Sequence, residues 1–318
     1  MCKRLFIGID TSCYTTSLAF MAEEKVFQYK KVLDVKKGEC GLRQSEALFQ
    51  HMKNLPLLFN EMKKDINVSD FKDILISVST KPRSIEGSYM PVFLAGKSLA
   101  KILSDTLSAK IFETSHQDGH IMAVAFSEKK IGILNEPFIS VHLSGGTTEI
   151  LIGKMEDKKF SLKLVGGTKD LPCGQFIDRI GVLTGRDFPA GKYLDYSAVN
   201  FSGKTKKRRP CVNGGYMCFS GEETHIRRLF LSGKIDAEEA AFMTMSFIAD
   251  SVKKAVINVM EKYDIKNVLM AGGVSSSSFL RNTFKDVPGV FFASPELSTD
   301  NAVGVCALGK YFISGDKL

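Results

Sequence analysis

The chain has 318 residues, of which 44% are hydrophobic and 25% are charged, with a formal net charge of +8 at pH 7. This balance is typical of a globular protein and excludes a disordered or fibrous chain, and the length suggests two domains. No stretch reaches the roughly 18 consecutive apolar residues of a membrane span, and the apolar run Leu5 to Ile9 is too short for a signal peptide, so we expect a cytoplasmic protein.

The first half of the chain predicts a strand hairpin followed by alternating helices and strands. LFIGIDTSCYTTSLAFM reads as two apolar strands around a polar turn. DILISVST predicts a strand and MPVFLAGKSLAKILSDTL a helix. Between the hairpin and this strand, SEALFQHMKNLPLLFNEMKK predicts a helix whose apolar residues follow helical spacing, namely Leu48, Met52, Leu55, Leu58 and Met62.

The second half repeats the hairpin pattern. PFISVHLSGGTTEILIG, Pro137 to Gly153, predicts a second hairpin. A long helix, AAFMTMSFIADSVKKAVINVMEKY, precedes a buried strand at Val268 to Ala271 and a glycine turn that leads into another helix. Strands that alternate with helices predict a mainly parallel α/β architecture. Two similar hairpins suggest duplicated lobes with a ligand held between them.

The glycine turns and the histidines are the candidate sites. Turns such as Gly145-Gly146 and Gly272-Gly273 leave backbone N–H groups beyond a strand end, where a phosphate can approach, although most such turns are only turns. His116 and His120 are four residues apart, which on a helix places both rings on one face. The spacing suits a metal ion but is also common among structural histidines.

Two further features leave alternatives open. The stretch GKTKKRRP contains five cations and is either a solvated loop or a contact for a polyanion, through Lys204, Lys206, Lys207, Arg208 and Arg209. The seven cysteines are odd in number and never spaced as zinc ligands, so we expect reduced, mostly buried thiols at Cys2, Cys13, Cys40, Cys173, Cys211, Cys218 and Cys306.

Several motifs occur in a specific order and spacing between GIDTSC and STDNAVGVCALG. They are HQDGH from His116 to His120, LSGG, FIDRI, PAGKYLD, CFSGEET, AGGVSSSSFLR and STDNA. In these motifs the chain resembles the tRNA threonylcarbamoyladenosine synthase family, which is TsaD-like and was formerly called glycoprotease. The family implies a two-lobed actin-like, sugar-kinase-like ATPase fold with duplicated RNase H-like lobes. The expected N-terminal lobe is residues 1–135 completed by 300–318, and the expected C-terminal lobe is residues 136–299.

The resemblance also implies site residues. One divalent metal ion, iron or zinc, is expected on His116, His120 and Asp300. An adenylate-type ligand is expected on Leu143, Ser144, Gly145, Gly146, Asp178, Gly191, Asp195, Gly272, Gly273 and Ser277. The implied activity is transfer of a threonylcarbamoyl group from threonylcarbamoyl-AMP to adenosine 37 of tRNA. The implied partners are a small ATPase and a related subunit of the modification complex.

Several positions depart from the family pattern. Tyr14 and Thr15 replace two carboxylates near the N-terminus, Ser277 replaces an asparagine and Leu171 replaces an aspartate. A second hypothesis is therefore a catalytically weakened paralogue that serves as a metal- and nucleotide-binding regulatory subunit. A third is a carbamoyltransferase of the same fold. The histidine pair lacks the glutamate of a His-Glu-x-x-His helix, which argues against a metalloprotease.

Overall fold

The structure is a computed structural model, and it describes residues 3–12, 14–35, 42–156, 159–206 and 208–314. The chain forms two compact units. The first unit comprises Met1–Ile131 and Glu296–Leu318, and the second comprises Gly132–Pro295. No helix within the described ranges combines the length and the apolar character that a membrane crossing requires.

The strands and helices are numbered in chain order. The strands are β1 (Arg4–Ser12), β2 (Thr15–Ala22), β3 (Lys25–Val32), β4 (Asp73–Lys81), β5 (Lys110–Ser115), β6 (Phe138–Leu143), β7 (Thr148–Glu156), β8 (Lys159–Thr168), β9 (Val212–Asn213), β10 (Gly215–Met217), β11 (Val268–Ala271) and β12 (Val290–Phe292). The helices are α1 (Gln44–Met62), α2 (Phe93–Leu107), α3 (His116–Ser127), α4 (Cys173–Leu183), α5 (Gly191–Asn200), α6 (Ser220–Leu231), α7 (Ala237–Tyr263), α8 (Ser278–Thr283), α9 (Pro295–Ser298) and α10 (Val303–Ser314).

The first unit is built on a five-stranded sheet in the order β3-β2-β1-β4-β5. The predicted hairpin is confirmed, since β1 pairs antiparallel with β2 while its other edge pairs parallel with β4. Cys13 in its turn lies outside the described residues. On α1, Leu55, Leu58 and Met62 are buried against the sheet as predicted. Met52 is 54% exposed, so the helical spacing was wrong for this residue.

The second unit contains a seven-stranded sheet in the order β12-β11-β6-β7-β8-β10-β9. The expectation of a mainly parallel architecture was wrong. Three strand pairs of this sheet, β6 with β7, β7 with β8 and β9 with β10, are antiparallel. At most four residues separate the two strands of each pair along the chain, and so short a connection can join only antiparallel neighbours. The predicted second hairpin, β6 with β7, is confirmed.

The core of the second unit positions the predicted glycine turns. The long helix α7 is confirmed, and its buried face packs into the main apolar cluster with residues such as Ile248, Val252 and Val256. Strand β11 lies parallel to β6, with Ala271 opposite His142. Because parallel strands end at the same edge of a sheet, the turns that follow them are neighbours.

The cysteines are only partly as expected. Cys173 and Cys306 are buried free thiols, whereas Cys211 is exposed and Cys218 is intermediate. The prediction of mostly buried thiols therefore fails for the pair that flanks the β9–β10 hairpin. Cys2, Cys13 and Cys40 lie outside the described residues.

Candidate metal centre and nucleotide-binding turns

Helix α3 begins at the first of the two histidines. The Ser115 hydroxyl accepts a hydrogen bond from the Asp118 N–H at 3.1 Å, and the Asp118 carboxylate accepts one from the Ser115 N–H, which is a capping box. This cap fixes His116 as the first helical residue and places His120 one turn later on the same face. Their Nε2 atoms are 3.0 Å apart. The prediction that the rings share a helix face is confirmed.

The structure brings Asp300 to this histidine pair. Its Oδ1 atom lies 3.4 Å from Nε2 of His116 and 3.6 Å from Nε2 of His120. One ligand atom from each of the three residues lies within 4.8 Å of the other two. Two imidazole nitrogens and one carboxylate oxygen therefore converge on a single point.

Two glycines allow this approach between segments that are distant in sequence. Gly119 on α3 faces Val305, and a Cβ atom on Gly119 would lie 2.8 Å from the valine side chain. A Cβ atom on Gly304 would overlap the Gly119 carbonyl oxygen. Only glycine permits helix backbones to come this close. The contact sets α10, and the segment carrying Asp300 that precedes it, against α3.

Asp10 is a second carboxylate at the centre, and its role was not predicted from the sequence. It is fully buried at the end of the apolar run in β1, and its Oδ1 atom lies 3.1 Å from Nδ1 of His116. The Ser12 hydroxyl donates to Oδ2 at 2.6 Å and the Ser79 hydroxyl donates to Oδ1. A carboxylate on the far nitrogen of a histidine is the usual means of orienting a metal-binding imidazole. The signal in the sequence was an aspartate inside an apolar strand.

The charges of the cluster are strongly coupled. Burial would raise the pKa of Asp300, but hydrogen bonds from the two histidines outweigh it and hold that pKa well below its usual value. Burial and the neighbouring His116 lower the pKa of His120. Burial also disfavours protonation of His116, but Asp10 and Asp300 overcome it and raise its pKa. An ionised Asp300 and a neutral His120 are the forms that bind a cation.

The donor set fits a transition-metal ion. Two nitrogen donors and one oxygen donor suit zinc and non-haem iron alike, so the residues do not select between the two. Three protein ligands leave coordination positions for oxygen atoms of a substrate. Asp300 keeps 24% of its side chain exposed, and the centre is therefore accessible to a ligand.

Near the N-terminus, Tyr14 and Thr15 occupy the positions of the two missing family carboxylates. Tyr14 is 40% exposed, whereas Thr15 is 7% exposed at the start of β2. An acidic residue would therefore be solvated at position 14 and buried at position 15. The departure from the family pattern is compatible with the local packing at both positions.

In the second unit, the two predicted glycine turns are adjacent. Gly272 has φ +91°, and a Cβ atom there would overlap the carbonyl oxygen of Leu143. The position therefore requires glycine for both its backbone angle and its close contact. Gly145, Gly146 and Gly273 are exposed, and a Cβ atom added to either of the first two would meet no atom within 4 Å. Their backbones can be approached by a ligand.

Asp178 and Asp195 have different hydrogen-bond partners. Asp178 Oδ1 accepts the N–H of Ala190 at 2.9 Å, next to Gly191, and burial raises the pKa of Asp178. Asp195 uses both oxygens at the start of α8, where the Ser277 hydroxyl and the N–H groups of Ser278 and Phe279 donate to it. The structure thus joins Asp195 to Ser277 and Asp178 to the residue before Gly191. Among the described residues no hydrogen bond links the two aspartates.

Asp170 is a further anchoring residue that the sequence reasoning missed. Its carboxylate accepts the N–H groups of Leu171 at 2.7 Å, Phe219 at 2.9 Å and Ser220 at 3.1 Å. Burial opposes ionisation, but these hydrogen bonds and the Ser220 hydroxyl lower the pKa of Asp170. The carboxylate therefore fixes the CFSGEET motif at the start of α6. Its position directly before Leu171 was the available signal.

A family profile described as tRNA N6-adenosine threonylcarbamoyltransferase matches residues 24–305. The chain belongs to this family. The resemblance seen in the motifs is therefore confirmed, and the protein is a transferase that acts on tRNA in threonylcarbamoylation. Two relatives, each named tRNA N6-adenosine threonylcarbamoyltransferase, are similar to this chain. The protein from Persephonella marina is 29% identical and the protein from Sulfurihydrogenibium sp. is 30% identical. The alignments cover 95% of this chain in both cases, and 88% and 89% of those proteins.

Solved structures support the fold. HypF from T. kodakarensis has a TM-score of 0.61 at 15% identity, covering 99% of this chain and 47% of that longer chain. A ROK family glucokinase from Streptomyces griseus has a TM-score of 0.50 at 12% identity, covering 96% of this chain and 99% of the glucokinase. The predicted α/β fold class, of the actin-like and sugar-kinase-like type, is confirmed. At these identities the similarity shows the fold alone.

Proposed function

We propose that the protein transfers a threonylcarbamoyl group from threonylcarbamoyl-AMP to adenosine 37 of tRNA, with assistance from one divalent metal ion. The observation that carries the proposal is the convergence of His116, His120 and Asp300 in a member of this transferase family. Asp300 lies far from the histidines in sequence, and only the resemblance to the family predicted that the three residues share a site. In the structure, the donor atoms of the three residues lie within 4.8 Å of one another, close enough to bind a single ion.

The first unit would hold the ion, and binding of the ion would displace the proton that Asp10 and Asp300 favour on His116. His116 and His120 would present Nε2 atoms, and Asp300 would present a carboxylate oxygen. Asp10 fixes the orientation of the His116 ring through Nδ1, so that its Nε2 atom points toward the other two ligands. When bound, zinc or iron supplies a Lewis acid that polarises a carbonyl or phosphoryl oxygen.

The second unit would bind the adenylate portion of the donor. The backbone of Gly145, Gly146 and Gly273 is exposed for contact with phosphate or ribose oxygens. Asp178 accepts one hydrogen bond from the protein among the described residues, and its other oxygen is available to ribose hydroxyls. Asp195 would act differently, because its hydrogen bonds hold Ser277 and the start of α8 in place. Leu143, Ser144, Gly191 and Gly272 shape the backbone around these contacts.

In the transfer step, a bond forms between the carbamoyl carbon and the exocyclic amine of adenosine. The bond from that carbon to the phosphate oxygen breaks, AMP leaves with the bonding electrons, and the proton lost by the amine passes to water. A neutral aromatic amine is too weak an acid to lose its proton before attack, so the rate would depend on positioning and on stabilising charge at the carbonyl oxygen. The rigid cap of α3 and the buried Asp10 network support such positioning in the first unit.

We also propose that the protein works with a small ATPase and a related partner subunit, as the family resemblance implies. The deciding experiment supplies threonylcarbamoyl-AMP, unmodified tRNA and these partner proteins, and measures threonylcarbamoyladenosine by mass spectrometry of the nucleosides. Product that depends on this chain and on added zinc or iron supports the proposal. Formation of product at the full rate without metal would show that the metal takes no part in the reaction. Absence of product from the complete mixture would refute the proposed transfer.

A further inference from the structure

The basic loop, defined here as residues 201–211, joins α5 to β9 in the second unit. Its sequence FSGKTKKRRPC concentrates five cations, while the whole chain carries a net charge of +8. Lys207 lies outside the described residues. Lys204, Lys206 and Arg209 are exposed, and none of the three has an ion pair with any residue that the structure describes.

Arg208 differs from these neighbours. Its Nη1 atom lies 2.8 Å from Oε2 of Glu222, whose side chain is only 3% exposed in the first turn of α6. A buried carboxylate needs such a partner, so this ion pair fixes the middle of the basic loop to the body of the unit. The remaining cations are left toward solvent.

Both ends of the basic loop are also held. Phe201 stacks on Phe242 of α7, with ring centroids 4.7 Å apart. At the other end, the Cys218 N–H donates to the Cys211 carbonyl oxygen at 3.1 Å, which closes the β9–β10 hairpin. The basic loop is therefore anchored at its start, middle and end, and its exposed cations form a pre-positioned group.

The placement of the basic loop favours an RNA backbone over other anions. It follows α5 directly, and α5 begins at Gly191 and carries Asp195, which holds the start of α8 shortly after the glycine turn at Gly272 in the chain. A ten-residue helix is about 15 Å long, so the basic loop begins about 15 Å from Gly191, which is a short distance on the scale of an RNA stem. Unpaired like charges repel one another, and a polyanion with regularly spaced phosphates relieves this repulsion.

We propose that Lys204, Lys206 and Arg209 bind the phosphate backbone of the tRNA substrate. The inference rests on the proposed function, because it assumes that the tRNA docks on the unit that binds the adenylate. The contacts would be independent of sequence and would orient the RNA, while recognition of the target adenosine would occur elsewhere.

The test measures binding of unmodified tRNA to the purified full chain by fluorescence anisotropy at a series of KCl concentrations. The variant is Lys204→Ala, Lys206→Ala and Arg209→Ala together. Loss of three phosphate contacts should make the slope of log K against log salt less negative by about 2 to 3. Equivalently, the affinity difference between wild type and variant should shrink by about 20- to 40-fold between 50 and 200 mM salt.

A matched control removes the same charge from other surfaces of the second unit. Lys254, Lys266 and Lys285 are exposed, and none forms an ion pair within the described part of the chain. Their triple alanine variant should keep the wild-type slope. An equal change of the salt slope in both triple variants would mean that tRNA responds only to the overall positive charge of the protein. That result would overturn the assignment of the phosphate contacts to the basic loop. Circular dichroism and adenine-nucleotide binding should be unchanged in both variants.

The remaining outcomes are equally decisive. A wild-type slope in the basic-loop variant would overturn the inference. If that variant instead lost co-elution with the partner proteins, the basic loop would be a docking surface for an acidic protein. Wild-type protein that binds no tRNA at any salt concentration would refute this inference together with the proposed substrate. Normal salt-dependent binding without threonylcarbamoyl product would refute the proposed transfer but leave the RNA contact supported.

Discussion

Asp300 in the first unit and Asp195 in the second are both predicted ligand-binding carboxylates, yet their surroundings differ. Asp300 faces two imidazole nitrogens at 3.4 and 3.6 Å. Asp195 accepts a serine hydroxyl and two backbone N–H groups at a helix start. The histidine partners of Asp300 can release a proton and bind a cation instead, whereas the backbone N–H groups that donate to Asp195 cannot. The first environment is suited to an ion and the second to rigid support.

The largest expected effect is loss of the metal from the first unit. His116→Ala with His120→Ala removes both nitrogen donors, so the bound metal should fall from close to one ion per chain to a background level. Elemental analysis of purified protein measures this content. His225→Ala, which changes a histidine on α6 in the second unit, is the control and should retain the metal. Equal metal in wild type and the double variant would exclude the site.

Asp10→Asn tests whether the buried carboxylate orients His116. Replacement leaves the volume almost unchanged but removes the negative charge that faces Nδ1 of His116. We expect metal affinity to fall by about 10- to 100-fold, as is usual for partners of metal-binding histidines. Competition with a chromophoric chelator measures the affinity, and circular dichroism verifies folding. Unchanged affinity in a folded variant would reduce Asp10 to a packing role.

Asp178→Asn and Asp195→Asn test the contrast within the second unit. Asp178→Asn should weaken adenine-nucleotide binding by about 1–3 kcal/mol, because a charged acceptor of ribose hydrogen bonds is lost. Asp195→Asn should mainly lower the free energy of unfolding by a similar amount, since it disturbs the start of α8. Calorimetry of binding and urea unfolding separate the two effects. A reversed pattern would make Asp195 the ligand-binding carboxylate.

His51 provides a pH test confined to the first unit. Its ring is fully buried, Nδ1 lies 2.8 Å from the Thr16 hydroxyl oxygen, and burial lowers its pKa to about 4. Between pH 6.5 and about 4 the unfolded chain binds this proton and the folded chain does not. Stability is therefore full above pH 6.5 and falls by up to about 3 kcal/mol as the pH is lowered to 4.

Urea unfolding of His51→Gln across the same range isolates this contribution. Carboxylates elsewhere also titrate at low pH, so the informative quantity is the difference between wild type and variant. That difference should change with pH only below 6.5. A difference that is constant with pH would show that His51 titrates equally in the folded and unfolded chains.

Local patterns in the sequence were sufficient for the elements that depend on near neighbours. The two hairpins, α1, α7 and the shared face of His116 and His120 follow from residue spacing and turn composition. Motif order was sufficient for the family and hence for the fold class. The expectation of mainly parallel sheets failed because alternating strands and helices were weighted above the hairpins, whose short turns impose antiparallel pairing.

Tertiary structure decided the parts that depend on contacts between distant segments. The approach of Asp300 to the histidines requires α10 to pack against α3 through Gly119 and Gly304, and no local pattern specifies that contact. No local pattern specifies the contact between Asp10 and His116 either. Nor does one specify the different hydrogen-bond partners of Asp178 and Asp195. Sequence spacing determines which side chains share an element, because backbone geometry is periodic. Long-range packing determines which elements meet, and therefore what each carboxylate binds.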